Sequence, residues 1–488
     1  MTCDLNNVMR KISLGIGGSL LLLIPISVIG QRQADYESAI RDATPRYGGD
    51  VPTNGLPAAT SIRTAASANA QAAITWDARV EIASGGGYRG AWRQNESEYD
   101  YVDDSTVALD AEGNAVVAWV DQQRKDVFFQ VYARDAKARF KTPANVSRTP
   151  KVFSWLPRLV LSPLHPKDIY VLWQEIVFSG GSHGGEIFFA QSRDGGATFR
   201  EPLNLSNSIN GDGKGRTSKE SWHNGSLDLA IAPKGTLYAA WTEYDGPLWF
   251  SRSHDRGETF SKPMRVAGGG KAKPARAPAL AVGSNSSVYL AWTVGEENGA
   301  DIRVAKSEDE GQTFAEPTIA EKTEGYSDAP KIAVDSNGIV HVVHAESSGG
   351  PLDRCHVRYA QSRDGGRTFE PGREISRPNP QTIESASFPA LTLDEQDNIY
   401  VLWEMYPNQG QHPRGLAISY SGDGGEKFRT PAIVPGSIDP AGGWNGSNQG
   451  LLMRKLAANG LGGLAVVNSS LKQGEKSRVW LIRGQLRE

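Results

Sequence analysis

One pattern limits what this chain can fold into: the octet S-x-D-x-G-x-x-F occurs five times at nearly constant spacing. Its acidic residues are Asp194, Asp255, Asp309, Asp364 and Asp423, so successive copies lie 61, 54, 55 and 59 residues apart. A degenerate copy ends at Phe140, where Asp135 survives but Ala133 and Lys137 replace the serine and the glycine. Such an octet suits a tight turn between two strands. The aspartate accepts hydrogen bonds from turn amides, the glycine admits positive φ, and the aromatic ring tucks back onto the sheet. These residues are read as holding hairpins together, not as catalytic groups.

Short apolar runs come in pairs between the octets, such as residues 227–231 with 237–241, 278–282 with 288–292 and 389–394 with 399–403. Near-continuous apolar runs indicate strands covered on both faces. A third strand precedes each octet and a fourth follows it. Four strands in about 60 residues describe a propeller blade. Six such units run from about residue 105 to 436, and an incomplete seventh holds residues 451–456, 463–467 and 479–482. Residues 74–82 alternate like a strand and are expected to supply the missing one, closing the ring and removing exposed edges. The fold is therefore expected to be all-β, a β-propeller of four-stranded blades closed by an N-terminal strand. Seven blades fit best, and six if the chain ends belong elsewhere.

The octets resemble the Asp-box, or BNR, repeats of the sialidase superfamily, over roughly residues 105–436. The resemblance implies a propeller. Its members include glycosidases, polysaccharide lyases, carbohydrate-binding proteins and assembly factors, so scaffold and function separate. It further implies, for a sialidase, three arginines around a substrate carboxylate, a tyrosine nucleophile backed by a glutamate, and an aspartate acid/base. Arg276, in Arg276-Ala277-Pro278, is nearest to the family's first arginine motif, although it falls in the fourth unit instead of the first. The equivalent position holds Trp155, Asp328 and Ser387 in units two, five and six. Tyr326-Ser327 is similar to the nucleophile strand, and Glu346 follows at a different spacing from the family's. On this reading Arg276, Tyr326 and Glu346 are the catalytic candidates of an exo-glycosidase acting on acidic glycans. The alternative is a non-catalytic propeller that binds a glycan or a protein.

The residues supply further candidates. Asp121, Glu175, Glu243, Glu346 and Glu404 lie just after second strands, where a propeller gathers its loops. Carboxylates at a pore mouth suit cation binding or general acid–base work. Because the feature repeats, hydrogen bonding between blades is the preferred account. Residues that break the repeat are better ligand contacts: Trp155 and Arg158 in unit two, Trp222 and His223 in unit three, Trp444 in unit seven. Aromatic rings on loops suit sugar stacking. His183 lies in a loop, and the remaining histidines show no metal-ligand spacing, so no metal and no cofactor are expected.

The formal charge of −3 gives no basic excess, which argues against nucleic acid. Arg10 and Lys11 precede an apolar run at residues 12–29, read as an export signal over residues 1–30, or as an anchor if uncleaved. Residues 31–60 read as a linker and 61–488 as one propeller. A periplasmic or secreted location follows, with a glycan or other extracytoplasmic ligand, and membrane contact only through the N-terminal segment. Of the two cysteines, Cys3 lies in the leader, so Cys355 is expected to be a buried small hydrophobe.

Overall fold

A computed structural model describes residues 74–177, 185–208, 214–216, 222–224, 226–243, 246–295, 299–350, 353–377, 385–407, 412–445 and 453–487. The leader, the linker and His183 lie outside the described residues. Seven four-stranded antiparallel blades stand in a ring, and the described residues contain no helix. The all-β, seven-bladed expectation holds.

Blade 1 comprises Val102–Leu109, Ala115–Asp121, Asp126–Tyr132 and Ala144–Asn145, and blades 2 to 6 repeat that order outward from the axis. Blade 7 takes three strands from the C-terminal end, Leu456–Ala458, Gly463–Lys472 and Lys476–Leu486. Its outer edge comes from the N-terminal side, where Ile74–Trp76 and Val80–Gly85 both pair with Lys476–Leu486. The closing strand expected at 74–82 is thus two short strands, and the innermost strand of blade 7 starts at Leu456, the last residue of the run expected at 451–456.

Second strands are buried along nearly their whole length, as in Ile169–Glu175 and Leu237–Thr242. Neighbouring blades cover both of their faces, which is why their sequences are apolar without alternation. Trp173, Trp241, Trp292 and Trp403 stand in the second half of these strands and are among the largest fully buried side chains.

The octets sit between third and fourth strands. In the blade 2 octet the Ser192 hydroxyl donates to Asp194 at 2.8 Å and accepts the Gly196 N–H at 2.9 Å. Asp194 also accepts the Thr198 N–H and hydroxyl at 2.9 and 2.6 Å. Asp255, Asp309 and Asp364 repeat these bonds, and Asp423 keeps those to Ser421 and the Lys427 N–H. The aromatic residue does not return to its own sheet. Phe199 meets Phe129 of blade 1 edge-on at 5.1 Å, and Phe260 meets Phe189 of blade 2 at 4.8 Å. A Cβ on Gly196 would fall 2.0 Å from the Phe129 ring, and its φ is +90°. The glycine is therefore required twice, by backbone conformation and by closeness of the neighbouring blade. Each octet staples one blade to the blade before it.

Innermost strands carry a second repeated device. In blades 1, 2, 4, 5 and 6 the ladder slips near its start. Asp104, Leu156, Ala277, Ala329 and Phe388 take left-handed φ there, between 49° and 62°. In four of these blades a proline follows (Pro157, Pro278, Pro330, Pro389), a residue with no ladder hydrogen to lose at a bulge. Because strands alternate in direction, octet turns and first-to-second-strand turns share one face of the ring. Loops between second and third strands and connections between blades gather on the other.

Candidate functional site: an aromatic cluster on the loop-rich face

Between the outer edge of blade 7 and the inner strand of blade 1, residues 86–101 fold back on themselves. The Gly90 N–H donates to Glu98 O at 2.9 Å, and Arg89 faces Tyr99. The tip is pinned to blades 1 and 2. Asn95 donates to Ile176 O at 2.7 Å, accepts the Phe153 N–H at 3.0 Å, and its carbonyl accepts from Lys125.

That anchoring lays Trp92 against Phe153 and Trp155, with ring centroids 6.2 and 5.4 Å apart. Tyr99 joins at 5.4 Å from Phe153. Trp155 is buried and oriented from below: its Nε1 donates to Gln122 at 3.0 Å, and Gln122 donates to Asp103 at 2.7 Å. Trp444 packs against the same cluster from the blade 7 side and stacks on His412 at 4.3 Å and 13°. Asn445 fixes this part of the chain, accepting the Gly415 N–H at 2.8 Å and donating to Ser437 O at 2.6 Å. Trp92, Trp444 and His412 are half-buried, so the cluster presents ring surface to solvent.

Cations flank the aromatic wall. The charge of Arg89 acts on both Tyr99 and His412, and Arg414 acts on His412 as well. Burial first, then these two guanidinium groups, push the His412 imidazole down to about 4, so it is neutral in ordinary buffers. Burial raises the Tyr99 phenol against the opposing pull of Arg89.

Of the sequence candidates, Trp155 lies in this cluster and Trp444 packs against the apolar core that contains it. Trp222–Asn224 forms a hairpin with Lys214–Arg216, and the side chains of Trp222 and His223 lie outside the described residues. Arg158 is not on a loop. It stands inside Ser154–Leu161, wholly buried, with Nε donating to Leu227 O at 3.1 Å.

Arg276 and Tyr326 do come together, the guanidinium lying 4.9 Å from the ring centroid. Arg276 is fully buried, paired with Asp328 at 2.5 Å and donating to Gly295 O at 3.0 Å. Tyr326 donates to the same Asp328 at 3.2 Å. Glu346 is opposite Ser327 in the ladder, so it points to the other sheet face from Tyr326, where Arg358 stands 3.5 Å away.

The second-strand carboxylates are answered locally. Glu175 accepts from Trp173 at 3.1 Å and Thr149 at 2.9 Å, and burial pushes its carboxyl up to about 7. Glu243 accepts from Trp249 at 3.0 Å, Asp121 accepts the Arg124 N–H at 3.0 Å, and Glu404 pairs with Lys455 of blade 7. Among the described residues no group of three His, Cys, Asp or Glu side chains is placed to hold a metal ion. Cys355 is half-buried, and burial pushes its thiol up to about 12. Sequence reasoning missed Trp92, Arg89, His412 and Arg414. Trp92 and Arg89 precede the first repeat unit, in a segment with no periodic signal.

No family model and no curated protein matches this chain. Solved structures do. The polysaccharide lyase Uly1 superimposes with a TM-score of 0.50 at 11% identity, over 84% of this chain and 100% of its own. A polysaccharide lyase of the PL25 family, an ulvan lyase, gives 0.50 at 13% identity, over 78% and 94%. A Hadza microbial sialidase gives 0.43 at 13%, over 76% and 74%. At these identities the likeness is one of fold.

Proposed function

We propose that this protein is an exported propeller that binds an acidic glycan at the aromatic cluster on its loop-rich face. The observation that carries the reading is the half-buried ring surface of Trp92, backed by buried Trp155, and of Trp444 stacked on His412, flanked by Arg89 and Arg414. Pyranose rings stack on such surfaces, and a uronate carboxylate pairs with guanidinium. The two superimposable lyase propellers are polysaccharide lyases, which is in keeping with this ligand class. Export rests on the apolar run at residues 12–29. Binding is preferred to sialidase-type hydrolysis because Arg276 is sealed from solvent and already neutralised by Asp328.

Calorimetric titration with oligogalacturonate, and with its methyl ester as the uncharged control, tests the reading. The acid binds and the ester binds more weakly. Trp444→Ala lowers affinity for both about tenfold, and Arg89→Ala removes the preference for the acid. Equal affinity for acid and ester, or no binding of either, defeats the proposal. Hydrolysis of a fluorogenic sialoside that disappears in Arg276→Ala would instead favour the glycosidase.

A further inference from the structure

On the octet-bearing face, away from the aromatic cluster, a channel of about 1040 Å³ runs along the propeller axis. Its walls come from the innermost strands and are apolar, with Leu159, Ala230, Leu280, Ile332 and Leu456 among them. Its inner end is charged. Asp228, Lys331 and Arg454 line it, contributed by blades 3, 5 and 7. Arg454 spans from blade 7 to Asp228, meeting both carboxylate oxygens at 3.0 Å. Asp228 also accepts the Leu280 N–H at 2.8 Å and lies 3.8 Å from buried Arg158. Three cations therefore surround one carboxylate at the end of a low-dielectric tube. At the mouth the balance reverses, with Asp110, Glu112, Glu395 and Asp397 against Arg139 and Lys167.

These charges select a ligand. A cation excess at the end of an apolar tube attracts an anionic group that brings its own apolar body. An acidic mouth repels polyanions, so a compact single charge passes where a polyphosphate or polyuronate does not. We propose that the axial channel binds a small apolar monocarboxylate, its carboxylate at Lys331 and Arg454 and its hydrocarbon part along the channel wall. Lys331 makes the site sensitive to pH. Burial first, and Arg158 and Arg454 after it, push its ammonium down to about 7 against Asp228 and Asp328. A bound carboxylate favours the protonated amine, so binding weakens as pH rises.

The test is titration of the full chain with hexanoate, beside hexanol and inorganic phosphate. Hexanoate binds one to one, about tenfold more tightly than either control. Lys331→Met weakens it about tenfold while leaving the melting temperature unchanged or higher, and leaves oligogalacturonate binding intact. Hexanol binding as well as hexanoate, no hexanoate binding, or a folded Lys331→Met that binds like the parent overturns the proposal. Should that variant not fold, the parent decides: hexanoate affinity falls about fivefold from about pH 6 to about pH 8.5, and an affinity that does not change counts against the site.

Discussion

Two ion-paired clusters stand near the propeller axis, and they differ in what covers them. Between blades 4 and 5, Arg276 is fully buried against Asp328, with its guanidinium over the Tyr326 ring. At the channel end, Arg454 and Asp228 make the same kind of pair, but the arginine side chain keeps 28% of its exposure and Lys331 beside it is half-buried. A sealed pair is held by geometry alone, and losing one partner strands a charge in low dielectric. An open cluster exchanges partners with water and can exchange them with a ligand. The sequence resemblance pointed to the sealed pair, while the accessible chemistry belongs to the open one.

The contrast is sharpest in Arg276→Ala, which leaves Asp328 without its counter-ion. We expect a loss of about 4 kcal/mol in urea denaturation. Asp228→Asn is expected to cost about half as much, roughly 2 kcal/mol, because Arg454 and Lys331 open onto the channel and can be solvated there. Equal losses in the two variants would break the comparison and mean that both clusters are sealed.

Glu175 offers a third environment, a buried carboxyl with neutral hydrogen-bond donors. Its folded value of about 7 lies above that of an ordinary glutamate. Its stability contribution is therefore complete below the unfolded value and is lost as pH rises toward 7. Glu175→Gln keeps an acceptor for Trp173 and Thr149. It is expected to flatten that pH dependence and add about 1–2 kcal/mol at pH 8, as read from denaturation midpoints across pH.

Lys331→Met has the smallest expected effect on the unliganded chain, a gain of about 1 kcal/mol near neutral pH from removing a buried cation. The depressed lysine costs stability as pH falls from its unfolded value toward 7, and the variant should lose that dependence. A loss of stability in Lys331→Met would place the lysine among the sealed structural groups.

Much of this fold was legible locally. Each octet encodes a turn whose hydrogen bonds close within five residues, from Ser192 through Thr198 in blade 2, so spacing alone reported the blades. The burial of the second strands was equally legible, because apolar runs without alternation can only lie between two sheets. The bulges were written in the X-Pro steps at Leu156-Pro157, Ala277-Pro278, Ala329-Pro330 and Phe388-Pro389, but their common left-handed residue appears only in the backbone.

The ligand surfaces were less legible. Aligning the units on their tryptophans places Thr106, Arg158, Asp228, Ala279, Lys331 and Ala390 at one level of the ladder. Three charges in an otherwise small-residue column were a signal available in the repeat. Arg454, which completes the channel end, sits one residue off that level and joins Asp228 from 226 positions away. The aromatic cluster gave less warning still, since Trp92, Trp155 and Trp444 come from three segments with no shared pattern.

What the sequence determined by itself is the repeating unit: its turn chemistry, its strand count and the ring that four-stranded units close. These depend on interactions within a few dozen residues. Tertiary structure alone decided which blade each octet grips, which arginines are sealed and which charges meet on the axis. Those outcomes depend on how blades face one another around a closed ring, where residues hundreds of positions apart become neighbours and burial, not residue type, sets what a charge can do.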